Sequence, residues 1–534
     1  MIAKTKTPEL PRSSASSKWH ATDLVPVVLL LLLMGALRLH DITGLYAFID
    51  EGYHNERAAI VWHFTVNPGQ FSNGKFLVYY WLGLFSGPPM TNLYTNRTAI
   101  ALFSLLTGAF VYMFGRRLHR PETGLLALVL YAISPMAVFH ERMALADPFA
   151  AVFACLVVWR SLVFGRRPSI REGAIIGALL ALATMAKLTL GLMPLLPVIA
   201  TIIYFPELNK SLVGQIRYWM GHYLPPLIIA ALVTVILWLP ILIPAVLAHN
   251  TPNEFVLLDA QNVAQTTAAQ SSLPRFIIDS WNAVAELASA PFLIAALMAL
   301  LIIPALSTNR LRLFQSSALL LSWFVATTVL TLGLAGFTNS RYFVPSFVPL
   351  VVILAIGAIE LWRLAARASN LWVTRVVRGT LIGAGVLWLI SFALPFDLTL
   401  AIDSGSLVSN TPSGQVYSHG GFMGDTPRQS VITAQIPVDA RIVYGDNTLC
   451  HLLNFYSAVP ITCLPKNNNF SDVKSFALNQ LRPGETAYVM AMFPLTDEAT
   501  AGFCPVRSQR YLREQGSTYA TLWEIQRPPC SSQN

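Results

Sequence analysis

Charge is what this sequence most lacks. Asp, Glu, Lys and Arg make up 12% of its 534 residues, where a soluble chain carries roughly 25%. Hydrophobic residues fill 54%, and no water-soluble domain of this length needs so much apolar surface. A soluble enzyme and a disordered or fibrous chain are therefore excluded. The net charge of +9 points toward an anionic partner, but its placement says otherwise. The basic residues sit in short links between apolar blocks: Arg116, Arg117 and Arg120; Arg166, Arg167 and Arg171; Arg310 and Arg312; Arg363, Arg367, Arg375 and Arg378. That is the orientation signal of a membrane protein, and no nucleic-acid partner is expected. Cysteine is scarce too, with five in all. Cys155 lies in an apolar block, where a thiol is by default an inert small hydrophobe. Cys450, Cys463, Cys504 and Cys530 all fall in the polar C-terminal part. An even number confined to one segment points to disulfides in an oxidising compartment, and all three pairings stay open. The chain also lacks a P-loop, a GxGxxG turn and an internal repeat.

What is present is a series of long apolar runs. After about 22 Ser/Thr/Lys-rich residues, expected to be disordered, the first runs from Leu24 to Leu39 with no cleavage site behind it. Blocks of spanning length follow near 98–115, 123–140, 147–164, 173–190, 191–205, 223–247, 288–306, 314–336, 343–361 and 379–396. The stretch from Gly173 to Phe205 is too long for one crossing, and Gly191, Pro194 and Pro197 divide it. The expectation is an α-helical polytopic membrane protein with about eleven transmembrane helices. With the N-terminus cytoplasmic, the cytoplasmic side collects Lys4, Lys6, Arg12, Lys18, the four clusters, Arg160, Lys210 and Arg217. The opposite loops hold Arg57, Lys75, Arg97, Arg142, Arg275 and Arg341. This bias orients the chain. It divides the sequence into a cytoplasmic N-terminus (1–22), a membrane domain (23–396) with a long first external loop (41–97), and an extracytoplasmic tail (397–534). The tail reads as a small α/β domain: strand ARIVYGD, helix NTLCHLLNFYSA, strand VPITCLP, a helical stretch at 472–481, and strands TAYVMAMF and TYATLWEI.

The unusual ionisable residues gather on the external side. The first loop carries FIDEGYHNERAAIVWHF and then KFLVYYWLGLF, which read as two interfacial helices flanking the pair Asp50 and Glu51. Adjacent carboxylates near lipid repel unless a cation is close, although Asp50 also suits a helix N-cap. Asp147, beside Glu141 and Arg142 in HERMALADPFAAVF, opens a later helix, where Asp before Pro148 is also a plain helix start. Lys187, in ATMAKLTLG, is costly inside an apolar run and so a functional candidate, with snorkelling as the alternative. Lys75, Arg275, Arg341 and Lys187 could together hold a phosphate at the membrane surface, with Arg142 nearby. A carboxylate base beside such a cradle suits transfer from a lipid-phosphate donor, the cations stabilising the departing phosphate.

The ordered set of acidic pair, LysPheLeuValTyrTyrTrpLeu, NRTAIALFSLLTGAFVYMFGRRL, HERMALADPFAAVF, ATMAKLTLGLMPLLP and SRYFVPSFVPLVVILAIG resembles the GT-C glycosyltransferases of the protein-mannosyltransferase and aminoarabinose-transferase type. The resemblance implies a GT-C fold and transfer, with inversion, of a sugar from a polyprenyl-phosphate donor to an extracytoplasmic hydroxyl. It implies Asp50 as general base with Glu51 beside it, and Asp147 as support for acceptor or metal. It implies Lys75, Arg341 and Tyr342 as contacts of the polyprenyl phosphate. The family often has Glu-Lys-Pro-Pro where this chain reads Gly74, Lys75, Phe76, Leu77, so a glutamate able to ligate metal is missing. No redox cofactor is signalled. A divalent metal ion is the one cofactor left open, with His54 and His249 as remaining candidate ligands. The alternative is a transporter or flippase of lipid-linked sugars, which would set its ionisable residues near mid-membrane on several helices.

Overall fold

Apolar segments in lipid must satisfy their own backbone groups, and a helix does so within one segment. A computed structural model describes residues 21–45, 47–63, 74–85, 89–206, 211–247, 273–306, 310–334 and 339–404, and shorter pieces of the tail between 407 and 530. In chain order its helices are α1 (Ala21–Leu39), α2 (Ile49–Ile60), α3 (Phe76–Gly83), α4 (Pro89–Leu118), α5 (Pro121–Ala132), α6 (Pro135–Glu141), α7 (Ala146–Arg166), α8 (Ile170–Ala186), α9 (Leu195–Ile203), α10 (Leu212–His222), α11 (Leu224–Leu247), α12 (Leu273–Ala288), α13 (Ala290–Leu306), α14 (Arg310–Leu334), α15 (Val344–Arg367), α16 (Leu371–Trp388) and α17 (Leu394–Ile402). Every apolar block read from the sequence overlaps at least one of them.

The protein is an integral, multi-pass membrane protein. Among the described residues, five helices are long and apolar enough to cross a membrane, or seven when the bent pairs α5–α6 and α12–α13 each count once. The expected count of eleven is not reached by this measure. The nine residues of α9 extend only about 13.5 Å, against a hydrocarbon core of roughly 30 Å. The break before α6 falls at Ser134–Pro135, because proline cannot continue the ladder behind it. Helices α7 and α15 are enclosed by the others, while α11 turns Leu232, Val235 and Ile236 outward and α16 turns Ile382 and Leu387 outward. Those exposed apolar stripes are what lipid covers.

Both stretches of the first loop read as interfacial are helical, as α2 and α3, and they pack on each other. The tail holds a five-stranded sheet: β1 (Val443–Gly445), β2 (Thr462–Cys463), β3 (Thr486–Ala491), β4 (Arg507–Leu512) and β5 (Thr518–Gln526). The order is β2-β1-β3-β5-β4, parallel across the first three and antiparallel across the rest. Strand β4 was not expected. Its sequence RSQRYL lacks an apolar alternation because it is an edge strand with Arg507, Ser508, Gln509 and Arg510 exposed. Most of the helical stretch expected at 472–481 lies outside the described residues. Of the three pairings, the structure forms Cys450–Cys463 and Cys504–Cys530.

Candidate functional site

The N-terminus of α2 sets the two adjacent acids apart. Successive helical residues are about 100° apart around the axis, so Asp50 and Glu51 face different surroundings. Glu51 turns inward. Arg97 grips it bidentately, Nε to Oε1 at 2.7 Å and Nη2 to Oε2 at 2.6 Å, and neither side chain is exposed. The Ala144 and Phe48 backbone N–H groups also donate to it, each at 2.8 Å. Arg97 Nη1 further donates to the carbonyls of Ile42 and Leu45. This network ties the first loop to the segment before α7, and Glu51 has no oxygen left over.

Asp50 is turned away from that network, its side chain one-fifth exposed at 20%. Its Oδ2 accepts from Arg341 Nη1 at 2.7 Å and from Lys75 Nζ at 3.1 Å. One turn further along α2, on the same face, His54 Nε2 lies 3.1 Å from Lys75 Nζ. The ammonium can only donate, so Nε2 accepts, and Nδ1–H donates to the Ala144 carbonyl at 2.7 Å. Burial and the neighbouring Lys75 charge push the His54 pKa well down, which keeps this neutral tautomer. Burial on its own raises the Asp50 pKa, but the charges of Arg341 and Lys75 outweigh it and hold the carboxyl well below the usual carboxylate range. Lys75 is opposed by burial and supported by Asp50, with its pKa raised on balance.

A second ion pair, Lys187 with Asp147, is buried beside the first. Tyr342 joins the two. The Lys187 ammonium stands 4.2 Å from its ring centroid, and the Arg341 guanidinium carbon 5.0 Å, cation–π contacts both. Arg341 also covers the Phe48 ring and donates to the Tyr342 hydroxyl. Arg341 and Tyr342 ride on a short 3-10 turn, Ser340–Phe343, opened by Asn339, whose side chain accepts from the Arg341 N–H. Lys75 and Lys187 are joined through the backbone, since Leu188 N–H donates to the Gly74 carbonyl at 3.0 Å. Gly74 has φ +66°, and a Cβ there would meet Leu188 at 2.7 Å, so only glycine suits the position.

Of the sequence candidates, Asp50, Lys75, Asp147, Lys187, Arg341 and Tyr342 therefore come together. Arg142 does not join them. It is buried and donates to the carbonyls of His40, Asp41 and Leu400. Arg275 lies on the exposed face of α12, its side chain 76% exposed, with Asp279 as partner. Sequence reasoning missed the anchoring roles of Arg97, Arg38 and His54. Arg38, at the end of α1, bonds Glu141 at 2.6 Å, and Tyr131 donates to the same carboxylate at 2.7 Å. The signal was available in Arg38 and Arg97, since charges beside apolar runs are costly to bury unpaired.

The cluster carries three cations (Lys75, Lys187, Arg341) and two carboxylates, so it has one positive charge in excess and suits an anion. A divalent metal would have to displace a cation from these carboxylates. Each carboxylate is already bonded to a cation, and His54 Nε2 accepts from Lys75. No three His, Cys, Asp or Glu side chains converge among the described residues. His249 lies outside them.

The family model of dolichyl-phosphate-mannose-protein mannosyltransferases matches residues 89–243. ArnT from Cupriavidus metallidurans, solved bound to undecaprenyl phosphate, is similar with a TM-score of 0.57 at 17% identity, over 96% of this chain and 100% of that one. The archaeal oligosaccharyltransferase AglB from Archaeoglobus fulgidus, in complex with an inhibitory peptide and a dolichol-phosphate, gives 0.52 at 13% identity, over 88% and 69%. The oligosaccharyltransferase of the same organism in complex with Zn and sulfate gives 0.53 at 14% identity, over 92% and 72%. No curated protein matches by sequence.

Proposed function

We infer that this chain, whose fold is that of the GT-C membrane glycosyltransferases, moves a sugar from a polyprenyl-phosphate donor to an acceptor hydroxyl outside the cytoplasm. The observation that carries the reading is the convergence of Asp50, Lys75 and Arg341 in one partly exposed cluster. The site and the tail lie on one face of the membrane, because Tyr456 of the tail meets Ala47 of the first loop. Two disulfides in that tail support an oxidising, extracytoplasmic side, in keeping with the distribution of basic residues.

The donor phosphate takes Lys75, Arg341 and the Tyr342 hydroxyl as its partners. Without donor, Asp50 is the counterion of both cations and a poor base. When phosphate takes its place, the carboxylate loses the partners that depress its pKa and its basicity rises. Asp50 then removes the acceptor's proton as the acceptor oxygen attacks the anomeric carbon from the face opposite the phosphate, inverting the centre. The C–O bond to phosphate breaks, and Lys75 and Arg341 stabilise the charge that develops on the leaving group. The Lys187–Asp147 pair holds Tyr342 from behind.

The decisive experiment is mass spectrometry of the cell-envelope glycans with and without the gene. Loss of one sugar from one glycan is expected, and an unchanged glycan profile overturns the reading. Lys75→Ala should weaken binding of polyprenyl phosphate by about 10- to 100-fold, the loss of one charged hydrogen bond; isothermal titration in nanodiscs checks this. Because both carboxylates of the cluster are paired with protein cations, EDTA treatment of the purified protein is expected to leave turnover unchanged.

A further inference from the structure

The tail touches the membrane domain at the backbone that leads into α2. The Ala47 N–H donates to the Tyr456 hydroxyl at 2.9 Å. Ala47 is fully buried, and Phe455 packs against it and Leu93 in an apolar cluster separate from the main core. Ala47 stands three residues before Asp50, and its neighbour Phe48 is the N-cap of α2 and the ring beneath the Arg341 guanidinium. The start of α2 is thus held on its inner side by Glu51 and Arg97 and on its outer side by Tyr456.

The segment that carries Phe455 and Tyr456 is stiff. Cys450 and Cys463 close it. Across it, Asn454 exchanges two hydrogen bonds with Ile461, at 2.9 and 2.8 Å, and Ser457 donates to the Val459 carbonyl at 2.6 Å. A rigid loop can transmit position, which a freely moving one cannot. Misplacing a reacting group by about 1 Å can cost about a hundredfold in rate.

We propose that Tyr456 is a positioning residue for Asp50, so that the extracytoplasmic domain is a latch on the active site and its Cys450–Cys463 disulfide is needed for full turnover. The proposal rests on the reading of Asp50 as the general base. The test uses the full-length protein in lipid nanodiscs. Tyr456→Phe removes the acceptor and keeps the ring. It should raise amide exchange in 47–60 by about tenfold, the effect of leaving one buried N–H unpaired. Turnover should fall by a similar factor, while affinity for polyprenyl phosphate, set by Lys75 and Arg341, stays as it is. Cys450→Ser with Cys463→Ser should reproduce both effects, and Cys504→Ser with Cys530→Ser should not. Wild-type exchange in Tyr456→Phe overturns the latch. Raised exchange with undiminished turnover overturns its positioning role. If the unaltered protein turns over no polyprenyl-phosphate sugar, the functional reading fails, and the exchange measurement still decides separately whether the latch exists.

Discussion

Asp50→Asn is expected to lower sugar transfer by about 10²- to 10⁴-fold, the contribution of a positioned general base. Donor binding should survive and strengthen. In the free protein Asp50 competes with phosphate for Lys75 and Arg341, and the amide leaves both cations free. Single-turnover kinetics combined with titration of polyprenyl phosphate separates the two effects. Wild-type transfer in this variant would sink the base assignment. The pH profiles carry the same logic. The profile of kcat/KM reports the free enzyme, where Arg341 and Lys75 hold the Asp50 pKa down against its burial. Its acid limb should therefore lie below the usual carboxylate range near 4. The profile of kcat reports the donor complex, where phosphate has taken the cations, and its acid limb should lie higher.

Glu51, one residue on, should behave in the opposite way. Glu51→Ala leaves the Arg97 guanidinium buried without its carboxylate, and breaking a buried pair from one side costs about 3–5 kcal/mol. The expected result is a large fall in thermal stability and little folded protein. Arg97→Ala should be equally damaging, because it strands the carboxylate instead. The double variant should be less destabilised than the sum of the two, since neither ion is then left unpaired. Thermal unfolding in detergent checks this. A Glu51→Ala protein of native stability that had lost only turnover would return Glu51 to the chemistry.

The contrast between these neighbours marks where sequence reading ends. An acidic pair in the first external loop was legible, and so was the need for a cation beside it. Which acid meets which cation depends on the helical rotation of α2 against α4 and the turn before α15, and no local pattern encodes that. Arg341 stands 291 positions from Asp50, and Arg97, counted in the sequence only as an external charge, proves to be the partner of Glu51. Arg142 and Arg275 are expected from the sequence on the same side as the others, yet one is consumed by backbone carbonyls and the other faces outward.

By itself the sequence determined the membrane class, the helical blocks and the α/β tail, because hydropathy and periodicity are summed over many residues and each error is diluted. It also determined that ionisable groups crowd near the ends of the apolar runs. Only the tertiary structure decided the pairing of the four tail cysteines, the division of labour between Asp50 and Glu51, and the contact of Tyr456 with Ala47. Each of those depends on the meeting of two or three particular groups, whether 13 residues apart, as in Cys450–Cys463, or 409 apart, as in Ala47–Tyr456. Hydrogen bonds and ion pairs fall away within a few ångströms, and the spacing of residues along the chain carries no information at that scale.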